Sequence, residues 1–375
     1  MVRKSAPKSQ SPTKRKRVTA KPTEKPTCRI MVLGIGGAGN RMVSRLAEKD
    51  LKGPECVAIN TDLRDLNSVH AARKVLIGEG VTRGLSTEGN PQVGRAAAEQ
   101  SRVHIESLLE NVDVAFVAAG LGGGTGSGAT PVVASIARQK GVVVVGVVTT
   151  PLKTESDRIE TATRSLNEIT RVCDTIILID NNKFIELEPR LPMAEAFSLA
   201  DQTMANLIEG IVESISLPNL VNLNLADFRN IVGKGGLGMV GIGQSAAPAP
   251  NRAEEAVRSA LGSPLFDADF AEAKGALIHV SGGPGMTVEE AGRVGQVVSD
   301  MIGHDARVGW GANVDPSIKD GLKVTIVMTG MRAPRLLGGL ESTASALIDI
   351  ESSFSSREKP LQINLGLDQI ETLED

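Results

Sequence analysis

Gly122-Gly123-Gly124-Thr125-Gly126-Ser127-Gly128 is the sequence feature from which the fold of this chain can be inferred. It follows an apolar run at residues 112–119, which predicts a β-strand, and it precedes a helical pattern at residues 129–138. A loop that joins a strand to a helix can hold an anion between backbone N–H groups and the positive end of the helix dipole. A tight turn needs only one or two glycines, whereas this loop has five glycines and two hydroxyl side chains. We therefore predict that it holds phosphate groups.

An earlier glycine loop, Gly34-Ile35-Gly36-Gly37-Ala38-Gly39-Asn40, also follows an apolar run; in chain order it is the first loop, and residues 122–128 are the second loop. Three of its glycines match the G-x-G-x-x-G pattern, and Asp62 lies roughly 20 residues further on, which by itself favours an NAD-dependent dehydrogenase. Residues 122–128 do not form a P-loop, because that pattern ends in Gly-Lys-Ser/Thr and no lysine occurs in residues 113–139. Two phosphate loops on neighbouring strand ends fit one triphosphate held from two sides better than a dinucleotide.

These loops resemble the tubulin/FtsZ family, for which the sequence GGGTGSG is highly specific. The resemblance covers about residues 28–330 and includes Asn60-Thr61-Asp62 and residues 84–94 as two further nucleotide loops. The end of the chain differs from that of the bacterial branch, so the chain looks like an archaeal type of FtsZ. The resemblance implies that GTP or GDP, with Mg²⁺, is bound by Gly36, Gly37, Asn40, Asp62, Gly122, Gly123, Gly124, Thr125, Gly126, Ser127, Gly128, Glu155, Arg158, Asn181, Phe197 and Asp201.

The resemblance and the chemistry of these residues together imply a role for each group. The two glycine loops present N–H groups to the phosphates. Asn40 contacts the base or the phosphates, unless it only caps its own helix. Asp62 supports Mg²⁺ through water, because Mg²⁺ is bound by few carboxylates and keeps several waters. Glu155 and Arg158 lie where the family contacts the ribose and guanine.

Asn181, Phe197 and Asp201 align with the base-binding positions of the family. Asp201 can accept hydrogen bonds from the N1–H and N2–H groups of guanine, and adenine has no such pair of donors. Phe197 can stack on the purine ring. Because the chain has only seven Phe, one Trp and no Tyr, an aromatic residue at this position favours the stacking role.

The segment that contains Asn222, Asn224 and Asp227 resembles the catalytic synergy loop of the family, which completes the nucleotide site of the next subunit in a filament. Asp227 would orient and polarise the attacking water. FtsZ proteins usually have Asp at the position of Asn224, and an amide can hold a water but cannot take its proton. Hydrolysis is therefore expected to be slow, and an Asn224→Asp substitution is expected to raise turnover. The alternative is that Asn224 and Asp227 only cap a turn.

Apolar strand runs alternate with helical patterns up to about residue 182, which predicts an α/β fold with a parallel sheet. We predict a Rossmann-like GTP-binding domain (28–191), a long central helix (192–217) and a smaller α+β activation domain (218–332). The predicted strands are residues 29–33, 55–60, 74–77, 112–119, 142–149 and 175–180 in the first domain and 276–282, 307–310 and 323–329 in the second. Both glycine loops then lie at carboxyl ends of strands, where such sheets bind ligands.

Both ends of the chain are predicted to be disordered. Residues 1–27 form a basic arm with nine Lys or Arg and one Glu; it has no aromatic residue, so nucleic-acid binding is not favoured. Residues 333–375 form a flexible linker that ends in an apolar stripe between Leu361 and Asp375. We interpret this stripe as a docking peptide. The resemblance suggests a membrane-bound adaptor of the SepF type as its partner, and an FtsZ paralogue as a second one.

The composition argues against several other classes of protein. The net charge is −3, and the three cysteines and four histidines are scattered, unlike a disulfide framework or a zinc site. No apolar run approaches the ~18 residues of a membrane span, and the N-terminus lacks the apolar region of a secretory signal. We expect a cytoplasmic protein without a transmembrane segment that acts at the mid-cell division site.

Three functions remain open from the sequence. The first is a GTPase of the cell-division machinery that polymerises head-to-tail, so that hydrolysis depends on assembly. The second is an NAD(P)-dependent oxidoreductase, which would leave residues 122–128 unexplained. The third is a nucleotide-binding scaffold that polymerises with little GTPase activity, as the amide of Asn224 suggests.

Overall fold

The structure of the protein is a computed structural model. It describes residues 28–49, 53–187, 190, 192–216, 221, 223–233, 235–248, 251–263, 272–303 and 305–331. The predicted basic arm, flexible linker and docking peptide lie outside the described residues, and so does Asn222. Among the helices of the described residues, none is both long and apolar enough to cross a membrane.

The first half of the described chain alternates strands with helices, as its apolar runs predict. Its six strands are parallel and lie in the order β3-β2-β1-β4-β5-β6. The order reverses between β1 and β4, which is where doubly wound sheets bind ligands. The elements are β1 (Ile30–Ile35), α1 (Gly36–Glu48), β2 (Glu55–Asn60), α2 (Leu63–Ser68), β3 (Arg73–Leu76), α3 (Glu79–Thr82), α4 (Pro91–Gln100), α5 (Arg102–Leu108), β4 (Val114–Gly120), α6 (Gly124–Gln139), β5 (Val143–Thr149), α7 (Ser156–Thr170), β6 (Thr175–Ile179) and α8 (Asn181–Leu187).

A long helix, α9 (Met193–Ser216), follows this half of the chain. Its 24 residues span about 36 Å at a rise of about 1.5 Å per residue. α9 packs against α1 and also contacts strands of the second half. Met204, Leu207 and Val212 are fully buried between α9 and the sheet, because they recur at helical spacing on one face. The predicted long central helix is confirmed.

The second half of the chain extends the same sheet. It contains α10 (Leu225–Val232), β7 (Leu237–Ser245), α11 (Arg252–Leu261), β8 (Gly275–Gly282), α12 (Val288–Met301), β9 (Arg307–Val314) and β10 (Leu322–Met331). The full strand order is β3-β2-β1-β4-β5-β6-β7-β10-β8-β9. β10 is antiparallel to both of its neighbours, whereas β8 and β9 are parallel. The predicted α/β class, with a parallel sheet in the first half and a mixed second half, is confirmed.

Strand β7 is not predicted from the sequence, because glycines interrupt its apolar pattern, LGMVGIGQS. The structure gives a packing reason for one of them. A Cβ atom on Gly243 would lie 2.1 Å from the carbonyl oxygen of Ala256 in α11. The glycine therefore lets α11 pack directly on the strand.

The sheet is buried on both faces, because side chains alternate along its strands. In β4, Phe116 packs in a core with α1, α9 and α10, whereas the next residue, Val117, packs in a core with α4, α6 and α7. Both side chains are fully buried. Helices on the two faces thus fix the positions of the loops that follow β1 and β4.

Candidate functional site

A cleft of about 550 Å³ lies at the carboxyl ends of β1 and β4. Helices α1 and α6 both begin there, and among the described residues no side chain caps the first turn of either. The first N–H groups of these helices therefore lack the partners that a cap supplies. The residues predicted from the sequence that line the cleft are Gly36, Gly37, Gly123, Gly124, Thr125, Gly126, Glu155, Arg158, Asn181, Phe197 and Asp201. Two uncapped helix ends facing one cleft form a binding site for a polyanion.

The two glycine loops approach each other closely at this cleft. Gly36 has a φ of +69°, and a Cβ atom on it would lie 3.0 Å from the backbone nitrogen of Gly126. Thr125, in the second loop, forms a hydrogen bond with Thr61, and their hydroxyl oxygens are 2.9 Å apart. The first turn of α6 is therefore fixed against the strand end that precedes α2.

Glycine is found at the positions of the second loop for two different structural reasons. Cβ atoms on Gly124, Gly126 and Gly128 would lie 2.0–2.4 Å from neighbouring oxygen atoms, so these glycines allow close packing of the chain. A Cβ atom on Gly123, in contrast, would have no atom within 4 Å. Gly122 has a φ of +94° and donates its N–H to Ser127 Oγ at 2.8 Å.

The glycine content of this loop therefore has a packing role beside the predicted phosphate binding, and only part of the loop faces the cleft. Within the described chain, Gly122, Ser127 and Gly128 are not among the residues that line it. Gly123, at the start of α6, is the loop position with the most open space beside it. The packing contacts add a second reason for glycine at Gly124, Gly126 and Gly128, and the binding of phosphate by this loop stays a prediction.

Three side chains at the other end of the cleft are suited to a purine base. Phe197 and Asp201 lie four residues apart on α9, so they share one face of that helix. Asn181 donates from Nδ2 to the carbonyl of Thr150 at 2.8 Å, whereas its buried Oδ1 has no hydrogen-bond partner within the described part of the chain. A buried acceptor without a partner is costly, so it indicates a ligand that donates an N–H group.

Asp201 forms an ion pair with a cleft residue that is not predicted from the sequence. Its side chain is 5% exposed, and Arg41 Nε lies 2.9 Å from Asp201 Oδ2. Burial raises the pKa of Asp201, while the charges of Arg41 and Arg45 oppose that rise. The missing lysine in the glycine loops is the sequence signal that could have directed attention to Arg41, the first cation after the first loop.

Glu155 and Arg158 form a second ion pair at the cleft, with 2.9 Å between Oε1 and Nη1. Glu155 also accepts the N–H of Leu152 at 3.0 Å. Thr87, from the predicted nucleotide loop at residues 84–94, lines the cleft as well, and so do Thr149 and Thr150, which are not predicted from the sequence. Isolated threonines have no distinctive spacing, so the sequence offers no signal for them.

Two predicted residues have other positions than expected. Asn40 is fully buried inside α1, where its Oδ1 accepts the N–H of Ile59 at 3.2 Å, so it neither lines the cleft nor caps α1. Asp62 caps α2 by accepting the N–H groups of Arg64 at 2.9 Å and Asp65 at 3.2 Å. Asp65 Oδ2 would lie 3.6 Å from a Cβ atom on Gly37, so Asp65 is a carboxylate beside the first loop.

Asn224 and Asp227 are both exposed, at the beginning of α10. Asn224 Oδ1 accepts the N–H of Asp227 at 2.8 Å, and Asn224 Nδ2 donates to Asp227 Oδ2. Asn224 is therefore a helix cap, as the alternative interpretation of this segment expects. The same contact also fixes the orientation of the Asp227 carboxylate.

Helix α10 lies near the amino end of β1, whereas the cleft lies at its carboxyl end. Cys28, just before β1, has a pKa raised to about 11 by burial and by Asp113, with Arg229 of α10 opposing the rise. Cys28 and Leu225 of α10 also pack against the same core. The six residues of β1 span about 20 Å, and α10 and the cleft lie towards opposite ends of this strand.

The comparisons with known proteins agree with this geometry. A family model described as the GTPase domain of the tubulin/FtsZ family matches residues 29–189, and one described as the FtsZ C-terminal domain matches residues 236–332. Cell division protein FtsZ 2 of Methanocaldococcus jannaschii is 41% identical over 343 residues, which cover 91% of this chain and 90% of that protein. Cell division protein FtsZ 1 of Archaeoglobus fulgidus is 42% identical over 310 residues, which cover 82% of this chain and 84% of that protein.

Solved structures give the same result. An empty FtsZ dimer from M. jannaschii superposes with a TM-score of 0.78 at 41% identity and covers 81% of this chain and 88% of that chain. CetZ2 of Haloferax volcanii shares the fold, with a TM-score of 0.70 at 23% identity over 88% of this chain and 99% of that chain. The chain therefore belongs to the tubulin/FtsZ family of GTPases and, within it, to the FtsZ cell-division proteins.

Proposed function

We propose that this chain binds GTP in the cleft and hydrolyses it to GDP and phosphate when copies assemble head-to-tail into filaments of the cell-division ring. The position of Asp227 carries the proposal. Asp227 is exposed on α10, which lies near the amino end of β1, whereas the cleft lies at the carboxyl end of that strand. Copies that stack along the strand direction would bring α10 of one subunit to the cleft of the next. The FtsZ dimer from M. jannaschii supports such pairing of copies.

The residues of the cleft would divide the nucleotide among them. The N–H groups at the starts of α1 and α6 would bind the phosphates and stabilise their negative charge during hydrolysis. Asp201 would accept from guanine N1–H and N2–H, Phe197 would stack on the base, and Asn181 Oδ1 would accept a further N–H. Glu155 and Arg158 would contact the ribose and the edge of the base. This assignment gives a partner to Asn181 Oδ1 and to the uncapped N–H groups at the starts of α1 and α6.

Hydrolysis needs a positioned water and stabilised charge, with little covalent participation of the protein. Asp227 of the neighbouring subunit would orient the water that attacks the γ-phosphorus, and the bond from the γ-phosphorus to the β–γ bridging oxygen would break. Mg²⁺ would be bound mainly by the phosphates, with Asp62 or Asp65 reaching it through water. In the described chain, no group of three or more His, Cys, Asp or Glu residues could hold a metal ion by itself.

Asn224 would position Asp227 without taking part in proton transfer. Its Nδ2 donates to the carboxylate, and an amide cannot accept the proton of the attacking water. We therefore propose that Asp227 has the main role in hydrolysis, with Asn222 as a further residue of the same loop. A nucleotide-binding scaffold with little GTPase activity is the second candidate, and this same amide favours it.

We also propose the domain limits 28–191, 192–217 and 218–332, followed by a linker and a docking peptide. The docking peptide, residues 361–375, would bind a membrane-bound adaptor of the SepF type and so hold the cytoplasmic filament at mid-cell, where an FtsZ paralogue could also join it. Deleting these residues should abolish adaptor binding while GTPase activity persists. Normal mid-cell localisation of the truncated protein would contradict this proposal.

Phosphate release measured against protein concentration tests the main proposal. We expect almost no release below a threshold concentration and a linear increase above it, since only neighbouring copies complete the site. GTP binding below the threshold is the control, because each cleft is formed by one chain. Release proportional to concentration from the lowest values onward, or full activity in a monomeric preparation, would contradict hydrolysis between subunits.

A further inference from the structure

Arg41 extends along the wall of the cleft from α1 towards α9. Its Nε lies 2.9 Å from Asp201 Oδ2, and its Nη1 would lie 3.8 Å from a Cβ atom on Gly37. The guanidinium group therefore lies between the carboxylate at the base end and the first glycine loop at the phosphate end. Its side chain is 53% exposed, whereas that of Asp201 is 5% exposed.

The charges around the cleft show what the guanidinium group of Arg41 can do at this position. Arg41 and Arg158 are cations that line the cleft, and Arg158 is paired with Glu155. A buried carboxylate such as Asp201 is costly unless a partner compensates its charge. Arg41 supplies that compensation in the free protein. A guanidinium group also binds phosphate well, because its N–H donors match the spacing of phosphate oxygens.

We propose that Arg41 exchanges partners when nucleotide binds, leaving Asp201 to the N–H donors of guanine and pairing with a phosphate of the nucleotide instead. In the free protein, Arg41 thus takes the place of the guanine base, and Asp201 takes the place of the phosphate. In the free protein, the guanidinium group of Arg41 is bound to the Asp201 carboxylate, which guanine binds in the complex. The Asp201 carboxylate is in turn the anionic partner of Arg41, which the phosphate replaces in the complex. This inference rests on the proposed guanine-nucleotide site and adds a phosphate-binding residue to it.

The exchange makes binding depend on both halves of the nucleotide. Guanosine alone would displace the guanidinium group from Asp201 and leave that cation without an anionic partner. GDP and GTP would satisfy both groups at once. Arg41 thus discriminates against ligands that lack either the guanine donors or the phosphate.

The test compares Arg41→Met with Lys49→Met in the full chain, with calorimetric titration of guanosine, GDP and GTP at pH 8 and low salt. Lys49 is the matched control, because it also links α1 to α9, through Asn206 and Glu209, but lies two turns beyond the cleft. We expect Arg41→Met to lower the affinity for GTP and GDP roughly tenfold to a hundredfold, which is the range for the loss of a hydrogen bond to a charged group. The affinity for guanosine should stay the same or rise, since its competitor for Asp201 is gone.

Two results would overturn the exchange. A parallel loss of affinity for guanosine and for GTP would mean that Arg41 only positions Asp201. An unchanged affinity for GTP would mean that Arg41 does not bind phosphate. Thermal unfolding without nucleotide shows whether the variant is folded, and Arg41→Lys, which keeps a cation, should recover part of the GTP affinity. If the unmodified protein fails to bind GTP, the proposed function itself fails, and that titration distinguishes the two cases.

Discussion

At the carboxyl end of β1, α1 and α6 begin without a capping side chain, whereas near its amino end α10 begins with Asn224, which caps it. The two ends of one strand thus differ in how their polar groups are satisfied. The cleft has open helix N-termini and the unpartnered Oδ1 of Asn181 within the described residues. The turn before α10 satisfies its own N–H groups and exposes a carboxylate, Asp227, that is held in place.

In the proposed function, this difference separates the binding of nucleotide, at the cleft, from its hydrolysis, at Asp227. Groups left unsatisfied in a cleft gain free energy when a ligand supplies their partners, so each chain can bind nucleotide alone. An exposed carboxylate that is already oriented needs no ligand to fold correctly. It acts only when another molecule is brought to it, which is the role that the head-to-tail proposal gives to Asp227.

The largest expected effect comes from removing the carboxylate of Asp227, near the amino end of β1. Asp227→Ala should lower phosphate release by roughly a hundredfold to ten-thousandfold, the usual contribution of a positioned general base. GTP binding should be unchanged, because Asp227 does not line the cleft of its own chain. Parallel measurements of nucleotide binding and phosphate release would show the separation, and loss of both would contradict it.

A mixing experiment assigns the two ends to different subunits. Gly123→Trp should fold and block the cleft, because a Cβ atom there meets no atom within 4 Å and the residue has an extended φ of −90°. Neither this variant nor Asp227→Ala should release phosphate alone. A mixture should recover part of the activity where an intact cleft meets an intact Asp227. A mixture as inactive as its components would contradict hydrolysis between subunits.

The next largest effect is expected at the base end of the cleft. Asp201→Asn should weaken GTP binding by about 1–3 kcal/mol, the cost of losing a buried polar partner, and should relax discrimination against ATP. Ser198→Ala is a suitable control, since Ser198 is also on α9 but contacts Arg45 instead of lining the cleft. Competition titrations with GTP and ATP measure both changes. Equal affinities of the unmodified protein for the two nucleotides would contradict the assignment of Asp201.

Much of the cleft could be predicted from the sequence, because its backbone is made of local patterns. Apolar runs followed by glycine loops place α1 and α6 at neighbouring strand ends, and helical spacing places Phe197 and Asp201 on one face of α9. The roles of Gly124 and Gly128 could not be predicted, because they depend on the approach of distant segments. The same holds for the ion pair of Arg41 and Asp201, whose partners are 160 residues apart.

The burial of Asn40 and the close packing of β7 have a common physical origin, which the local sequence does not contain. Asn40 follows a glycine loop, as a ligand-binding residue would, yet the helical turn rotates it towards β2 and buries it there. In β7, glycines that look like a loop in the sequence are sites of close contact with α11. Local sequence predicts where an element begins, whereas the side on which a residue is buried depends on what packs against it.

A smaller effect, about tenfold, is expected from pH. Burial raises the pKa of Asp201 above its ordinary value of 3.8, although Arg41 and Arg45 oppose the rise. A protonated carboxyl cannot accept both guanine donors, so GTP affinity is highest above this pKa and falls as the pH drops through it. The raised pKa means that the loss begins at a higher pH than for an ordinary aspartate. Dissociation constants measured from pH 8 downwards, to the lowest pH at which the protein stays folded, would show this step.

Asp201→Asn is the control for the pH experiment, since the amide does not titrate. Any change in affinity that remains in this variant comes from the nucleotide phosphates or from other groups. Arg41→Met should move the step to higher pH, because it removes the nearest opposing charge. Identical pH profiles for the unmodified protein and Asp201→Asn would show that Asp201 does not control binding.

The smallest expected effect is a few-fold change at Asn224. The resemblance to FtsZ favours a gain from Asn224→Asp, but the contact in the structure favours a loss. The substitution keeps a good helix cap, yet it removes the Nδ2 donor and places a second carboxylate against Asp227. Two adjacent carboxylates repel, so one of them takes up a proton or turns away from the water. We therefore expect phosphate release per assembled subunit to fall about threefold to tenfold.

Asn224→Ser separates the two causes of that loss. Serine is also a good cap but carries no charge, so it removes the donor to Asp227 without the repulsion. We expect it to retain more activity than Asn224→Asp. Release should be measured at saturating GTP and equal filament mass. Faster release from Asn224→Asp would show that the amide limits catalysis and that its contact with Asp227 is a helix cap only.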